Sequence, residues 1–431
     1  MELYEGFTYK LRPDRRQETA FRKYAGCARF IYNKTLVEQQ AYYKEEGKHY
    51  HLYDLYNDLT FLKKDPKLSF LREVSADILL SAIAALDQAY KNFFNKVSDH
   101  PKPKKRQATK LGSFSFGTSS KIQVSHIDFA NHRIKLPKIG WVRYFADDRK
   151  IPSEASITRV TVSNDVSGWY VSISTKRDVP EPIHLNQGSM VGIDFGVVKL
   201  ATLSSGTYYE PNRSLRDGQV KLAKAQRKLS RKTKGSRNRY KQIVKVAKIH
   251  RKIRLVRLDK IEKITTDICK NHAIICVEDL QVSNLTRSAS GTIENPGKNV
   301  AAKSGLNKAI LDQGIGSFKT KLVQKAVKFG CQVIFVPAHH TSQTCPKCGH
   351  CGPENRTNQS DFQCVKCGLT GNADFIASIN VLSRGLLQAG WDTLRVGQTR
   401  LACLANGVVK PSATGTHRSD LVSPSNAVGE A

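Results

Sequence analysis

Between Thr341 and Leu382 the chain reads TSQTCPKCGHCGPENRTNQSDFQCVKCGLTGNADFIASINVL. Two C-x-x-C knuckles lie in this stretch, Cys345/Cys348 and Cys364/Cys367, with fifteen residues between them. Four thiolates at that spacing complete a tetrahedral shell around Zn²⁺, and a closed shell makes the site structural, not catalytic. A glycine follows each knuckle, Gly349 and Gly368, and permits the tight turn in which backbone N–H groups face sulfur. With four ligands in place, Cys351 is read as a spare thiol, and His339, His340 and His350 as strand-end and loop residues. The stretch closes on a helix over about 373–388, opened by Asp374.

Upstream of the knuckles, strand and helix patterns alternate. Strands are predicted at 190–195, 198–204, 273–277 and 331–336, with helical stretches at about 215–269 and 305–329. Such alternation predicts an α/β domain. Three acids stand at the ends of its elements: Asp194 in VGIDFG, Glu278 after the apolar run IICV, and Asp374. Each alone reads as a turn residue, a solvated strand end or a first-turn helix acid favoured by the dipole. Together, in an acid-poor chain, they read as a carboxylate cluster for Mg²⁺ or Mn²⁺. Two such ions about 3.5–4 Å apart stabilise the attacking and leaving oxygens of phosphodiester hydrolysis. Asp279, next to Glu278, is expected to face away from such a site.

The first half has a different rhythm. Residues 3–12 alternate as a strand. Helical spacing follows from Phe21 to Leu36 and again over about 75–96. After the basic linker PKPKKR (101–106), the period becomes two at 114–116, 122–124, 133–136, 141–144, 156–160 and 169–174. Short strands at this spacing predict an antiparallel barrel or sandwich, which the strand at 3–12 could join.

The chain holds 69 Lys+Arg against 37 Asp+Glu, a net charge of +32, which calls for a polyanionic partner. Seventeen Lys/Arg and one Asp fall between Lys221 and Lys260, where Ile243, Val246, Ile249, Ile253 and Val256 form an apolar stripe. One face packs while the others carry charge for phosphate contacts. No apolar run approaches the ~20 residues of a membrane span, and half of the cysteines crowd into one cluster, against a disulfide framework. The start MELYE has no signal-peptide pattern, so a cytoplasmic, nucleoid-associated location is expected.

The motifs GIDFG, VEDL, TSQTCPKCG, CVKCG and NADFIASINVL occur in this order. They are preceded by YKLRPDRRQ, GCARFIYNKTL, LDQAYKNFF and LPKIGWVRY. From about residue 5 to 390 this set resembles the transposon-encoded TnpB family, relatives of compact type V CRISPR effectors. The resemblance implies an α/β multi-domain fold with an RNase H-like (RuvC) nuclease domain at 188–338 and 371–395. A basic helical insertion at 215–269 and a zinc ribbon at 339–370 interrupt it. It also implies a wedge-like antiparallel β-barrel at 1–12 and 100–187, interrupted by a helical recognition domain at 13–99. Residues 396–431 read as a loosely ordered tail.

By the same resemblance Asp194, Glu278 and Asp374 are the catalytic Mg²⁺ (or Mn²⁺) ligands, while Cys345, Cys348, Cys364 and Cys367 hold Zn²⁺. The implied activity is RNA-guided cleavage of double-stranded DNA beside a short flanking motif, with a guide RNA derived from the transposon end. One position departs from the family: Ile376 stands where an Asn usually follows the last Asp by two. Two other readings follow from the same features, a non-cleaving RNA-guided repressor and an unguided nuclease or strand-transfer enzyme.

Overall fold

The computed structural model describes residues 1–48, 50–107, 109–117 and 122–407. They form two compact units, one of Met1–Pro180 with Lys221–Arg251, the other of Glu181–Val220 with the residues from Lys252 onward.

The first unit begins with β1 (Glu2–Arg12), α1 (Arg15–Glu46), α2 (Leu52–Lys64) and α3 (Ala76–Phe94). Asp14 caps α1 reciprocally: its carboxylate accepts from the Gln17 N–H at 2.8 Å, and Gln17 Oε1 accepts from the Asp14 N–H. Such a cap contributes about 1 kcal/mol. The strands follow: β2 (Ser113–Phe116), β3 (Ile127–Asp128), β4 (Arg133–Leu136), β5 (Gly140–Tyr144), β6 (Ser156–Asp165) and β7 (Gly168–Asp178). With β1 they make one antiparallel sheet in the order β2-β6-β7-β1-β5-β4-β3. β1 pairs with β7 from Glu2 to Lys10, then changes partner to β5 at Leu11 and Arg12. One strand therefore carries the chain around a corner of the sheet.

Period-two burial gives this sheet an apolar face of Tyr9, Leu11, Phe114, Phe116, Val160, Val162, Val171 and Ile173. Phe21, Tyr24, Ala25, Ala28 and Ile31 give α1 a matching stripe. Phe21 meets Trp169 at 5.1 Å between ring centroids, and Tyr24 meets Phe114 at 5.6 Å. Helices and strands of this unit thus share one core. The strand expected at 122–124 is also absent. Val124–His126 is a 3₁₀ turn, closed where the Gln123 N–H donates to His126 Nδ1 at 3.0 Å, and this local bond displaces strand pairing.

The basic region forms two helices, α4 (Ser214–Ser230) and α5 (Arg237–Asn271), not one run. Gly235, at φ 82°, lies in the break. Gln242 Nε2 donates to the Ala225 carbonyl at 2.9 Å and ties the two helices together. Residues 221–251 group with the first unit and not with the nuclease unit expected to contain them. Arg251 fixes them there, bonding Asp165 at 2.6 Å and the Tyr170 hydroxyl at 2.7 Å. The apolar stripe packs as expected through Ile253, whereas Val256 is 52% exposed. Lys241, Lys245 and Lys248, three and four residues apart, are exposed on one side.

The second unit comprises β8 (Met190–Phe195), β9 (Ala201–Leu203), β10 (Tyr208–Tyr209), β11 (Ile274–Glu278), α6 (Val282–Leu285), α7 (Val300–Gln313), α8 (Ile315–Phe329) and β12 (Gln332–Val336). It continues with β13 (Asp361–Gln363), β14 (Thr370–Asn372), α9 (Ala373–Gln388) and α10 (Thr393–Gly407). Its main sheet runs β10-β9-β8-β11-β12, with β8, β11 and β12 parallel and β9 and β10 antiparallel. Val191, Ile193, Ile275 and Val277 face one side, against Ile261, Ile264 and Ile268 of α5 and Phe318 and Leu322 of α8. Cys276 and Val336 face the other, against Val381, Leu382 and Leu386 of α9.

The helix expected at 305–329 is two helices, divided at Gly314 with φ 71°. The tail expected from 396 is likewise corrected: α10 reaches Gly407, and Val396 is fully buried beside α9. The rest of that tail, 408–431, lies outside the described residues. Among the described residues no helix is long and apolar enough to cross a membrane.

Candidate active site and metal centre

Strand register builds the acidic site. Ile193 pairs with Val277 in the parallel β8–β11 ladder, so the next residues, Asp194 and Glu278, stand side by side at the carboxyl ends of adjacent strands. Alternation puts Asp194 on the same face as Gly192, and Glu278 on the same face as Cys276, the face that α9 covers. Glycine is required for that cover. A Cβ at Gly192 would lie 2.1 Å from the Ser378 carbonyl oxygen, and one at Gly385 would lie 2.2 Å from Cys276 Sγ. Asp374 sits one turn before Ser378, so this close seat carries it towards the two strand acids. The Asn372 side chain caps α9 by accepting from the Phe375 N–H at 3.3 Å.

Burial, then the negative charges of Glu278 and Asp374, push the Asp194 carboxyl well above the usual carboxylate range. The Arg356 guanidinium acts the other way. Burial also raises Glu278, against the hydrogen bond that Thr341 donates to it at 2.6 Å. Asn380 Nδ2 donates to the Thr341 and Thr344 carbonyls at 2.8 and 2.7 Å and so holds that threonine. Arg384, which donates to the His339 carbonyl at 2.6 Å, places a further positive charge near Glu278.

Thr341, Asn380, Arg356 and Arg384 were not picked out by sequence reasoning. A buried amide amid the apolar residues of α9 was the one available signal, for Asn380. Asp279 behaves as expected, exposed and paired with Lys319. Asp194, Glu278 and Asp374 offer hard oxygen donors, the type that suits Mg²⁺ or Mn²⁺, although among the described residues they do not form a group as tight as the thiols.

The cysteines converge more tightly. The Sγ atoms of Cys345, Cys348, Cys364 and Cys367 all lie within 4.8 Å of one another, the one such ligand group among the described residues. The knuckles repeat the same backbone pattern. Gly349 and Gly368 (φ 76° and 70°) donate to the Cys345 and Cys364 carbonyls at 2.9 Å each. Against the burial that raises it, the Cys367 and Lys366 N–H groups pull the Cys364 thiol down to about 6. Four sulfurs so arranged fit Zn²⁺. Cys351 is exposed and outside the group, while His350 faces Glu354 at 3.5 Å and His340 bonds Gln343 at 2.8 Å. Ile376 is buried with Phe362, Ala373, Cys345 and Cys364 as part of the ribbon's core.

Three family models match the chain. Residues 171–289, which carry Asp194 and Glu278, match OrfB_IS605, described as "Probable transposase". Residues 316–381, which carry the cysteines and Asp374, match a Cas12f1-like TNB domain. Residues 1–48 match a helix-turn-helix domain, although here they form a strand and one unbroken 32-residue helix.

Over 385 residues the chain is 41% identical to the "Putative RNA-guided DNA endonuclease InsQ" of Escherichia coli K12, covering 89% of this chain and 93% of that one. A Streptomyces pristinaespiralis protein named in the same terms is 30% identical, over 89% and 90% of the two chains. Among solved structures, Cas12f1 in a complex with sgRNA and target DNA is similar in fold. Its TM-score is 0.52 at 16% identity, over 85% of this chain and 83% of that one. Identity at this level over nearly the whole length of both proteins shows that the chain belongs to the transposon-encoded TnpB family, the OrfB proteins of IS605-type elements.

Proposed function

We propose that this chain is an RNA-guided DNA endonuclease that cuts target DNA beside a short flanking motif in a single RuvC-like site. The observation that supports the reading is the pairing of Asp194 and Glu278 at neighbouring strand ends, with α9, which carries Asp374, seated closely on Gly192. The names of its relatives point the same way. Three parallel and two antiparallel strands in the order β10-β9-β8-β11-β12 support an RNase H-like domain over 188–338 and 371–395, from which the basic residues 221–251 are set apart. The corner in β1 supports a wedge barrel, with the helices of 13–99 as its recognition part.

Asp194, Glu278 and Asp374 would hold Mg²⁺, which when bound polarises the phosphodiester and acidifies an attacking water. The protein's own contribution is placement. Thr341 orients Glu278, Asn380 fixes Thr341, and Arg356 and Arg384 offset the charge of the cluster. The Zn²⁺ ribbon, packed through Ile376, steadies the start of α9. Exposed lysines on α5 suit the backbone of a guide–target duplex, while base pairing with an RNA from the transposon end supplies sequence. A nuclease of this kind works in the cytoplasm, at the nucleoid.

The test is cutting of matching duplex DNA in Mg²⁺ by protein purified with its co-expressed RNA. Asp194→Ala should abolish cutting and leave target binding intact. Normal cutting by that variant, or cutting that survives complete RNase treatment, would overturn the reading.

A further inference from the structure

Helix α10 runs back along α9 after a short turn. Asp392 caps it by accepting from the Arg395 N–H at 2.7 Å. Arg400, Cys403 and Leu404 come four, seven and eight residues after Val396, so the four share one face of the helix. That face meets two different cores. Val396 and Cys403 pack with Val381, Leu382 and Leu386 of α9 on the sheet side. Leu404 packs instead against the ribbon core of Cys345, Cys364, Phe362, Ala373 and Ile376. Ala373 and Ile376 stand on either side of Asp374 in the chain.

Arg400 lies between those two contacts, and its guanidinium spans them. Nε donates to the Ser383 hydroxyl of α9 at 3.0 Å, and Nη1 reaches the Pro346 carbonyl at 3.5 Å. Pro346 belongs to the first knuckle, next to Cys345. Ser383 is buried, and its own hydrogen goes to the Ile379 carbonyl at 2.8 Å, which leaves its oxygen to accept. An arginine that merely covered apolar surface would turn its head into water. A planar fork that joins acceptors on two separate elements fixes one against the other.

We propose that α10 braces α9 against the zinc ribbon, and that Arg400 is a positioning residue for Asp374, acting through Ser383 and Pro346. Helix α9 is seated on the sheet at Gly192 and Gly385 and on the ribbon at Ile376. Arg400 ties the two seats together. The effect on cutting rests on the guided-endonuclease reading; the brace itself does not.

Hydrogen exchange on the full chain, zinc-loaded and without nucleic acid, reads the brace directly. Arg400→Met keeps an apolar stem and removes both polar contacts. Amide exchange over residues 375–383 should quicken about threefold or more, with zinc content unchanged. With co-expressed RNA and Mg²⁺, target affinity should hold while single-turnover cutting slows about tenfold. Arg400→Lys, which can still donate to both oxygens, should recover most of the rate. Ser383→Ala should also slow cutting, and the double variant should be no slower than Arg400→Met alone, because both changes break one link.

Wild-type exchange and wild-type cutting in Arg400→Met would sink the proposal. So would a loss of rate that Arg400→Lys does not recover and that follows the melting temperature, which would mark general destabilisation. If Arg400→Met loses its zinc, Ser383→Ala takes its place in both measurements. A wild-type chain that fails to cut would refute the guided-endonuclease reading, and the exchange measurement would still decide the brace.

Discussion

The second unit carries two ligand clusters built in opposite ways. The four thiols come from one short stretch, and two turns of the same backbone pattern bring them within 4.8 Å of one another. The proposed carboxylates come from β8, β11 and α9, and only a formed five-stranded sheet with a helix closed on it carries them towards one another. The first cluster is written in local spacing. The second is written in register and in the absence of side chains at Gly192 and Gly385. The contrast teaches that a structural metal site can be read from a motif, whereas the proposed catalytic one needs the tertiary fold to be complete.

The strongest way to break the comparison is to remove one acid. Asp194→Ala should lower guided cutting by about 10³-fold or more while zinc content and melting temperature hold, since the proposed metal ligand is lost and no packing is. A fall in zinc content would show that the two clusters are not separable. Next, Cys364→Ser or chelation should release the zinc and melt the ribbon, because ligand binding and local folding are one event. Cutting should drop by at least about tenfold as α9 loses the packing around Ile376; a metal-free preparation with normal activity would refute the zinc assignment.

Gly192→Ala should cost about 3 kcal/mol of stability by denaturant unfolding and slow cutting, because the new Cβ meets backbone that cannot move aside. Thr341→Val, which keeps the shape and removes the hydroxyl, should slow cutting about tenfold, close to 1.4 kcal/mol, and lower stability by about 1–3 kcal/mol, because the buried Glu278 carboxylate loses a hydrogen bond. At the small end, Cys351→Ser should leave zinc content, stability and cutting as they are, because that thiol stands outside the cluster.

What the sequence made legible follows the same divide. The ribbon, the strands bearing Asp194 and Glu278, and the bounds of α9 were all readable, because each is announced by local period or spacing. The break at Gly314 was not. Ile310, Ile315 and Phe318 keep helical spacing straight across it, and only the left-handed φ of the glycine reveals two helices. The shared core of α1 with the first sheet was hidden for a related reason: an apolar stripe says that a helix packs, not what it packs on. The grouping of residues 221–251 with that sheet depends on the pairing of Arg251 with Asp165, which no periodicity records. Thr341 lies within the most informative stretch of the chain, yet nothing local marks it, since its partner, Glu278, is sixty-three residues away.

The seat of α9 on Gly192 has a consequence for synthesis. The ribosome releases β8 and β11 long before α9, and the helix can dock only after the ribbon has been threaded out ahead of it. A nascent chain can therefore already display its basic helices to RNA while its acidic centre still lacks a member. In this architecture the capacity to bind nucleic acid is made before the capacity to cut it, so an interrupted chain would hold RNA without a complete set of acids.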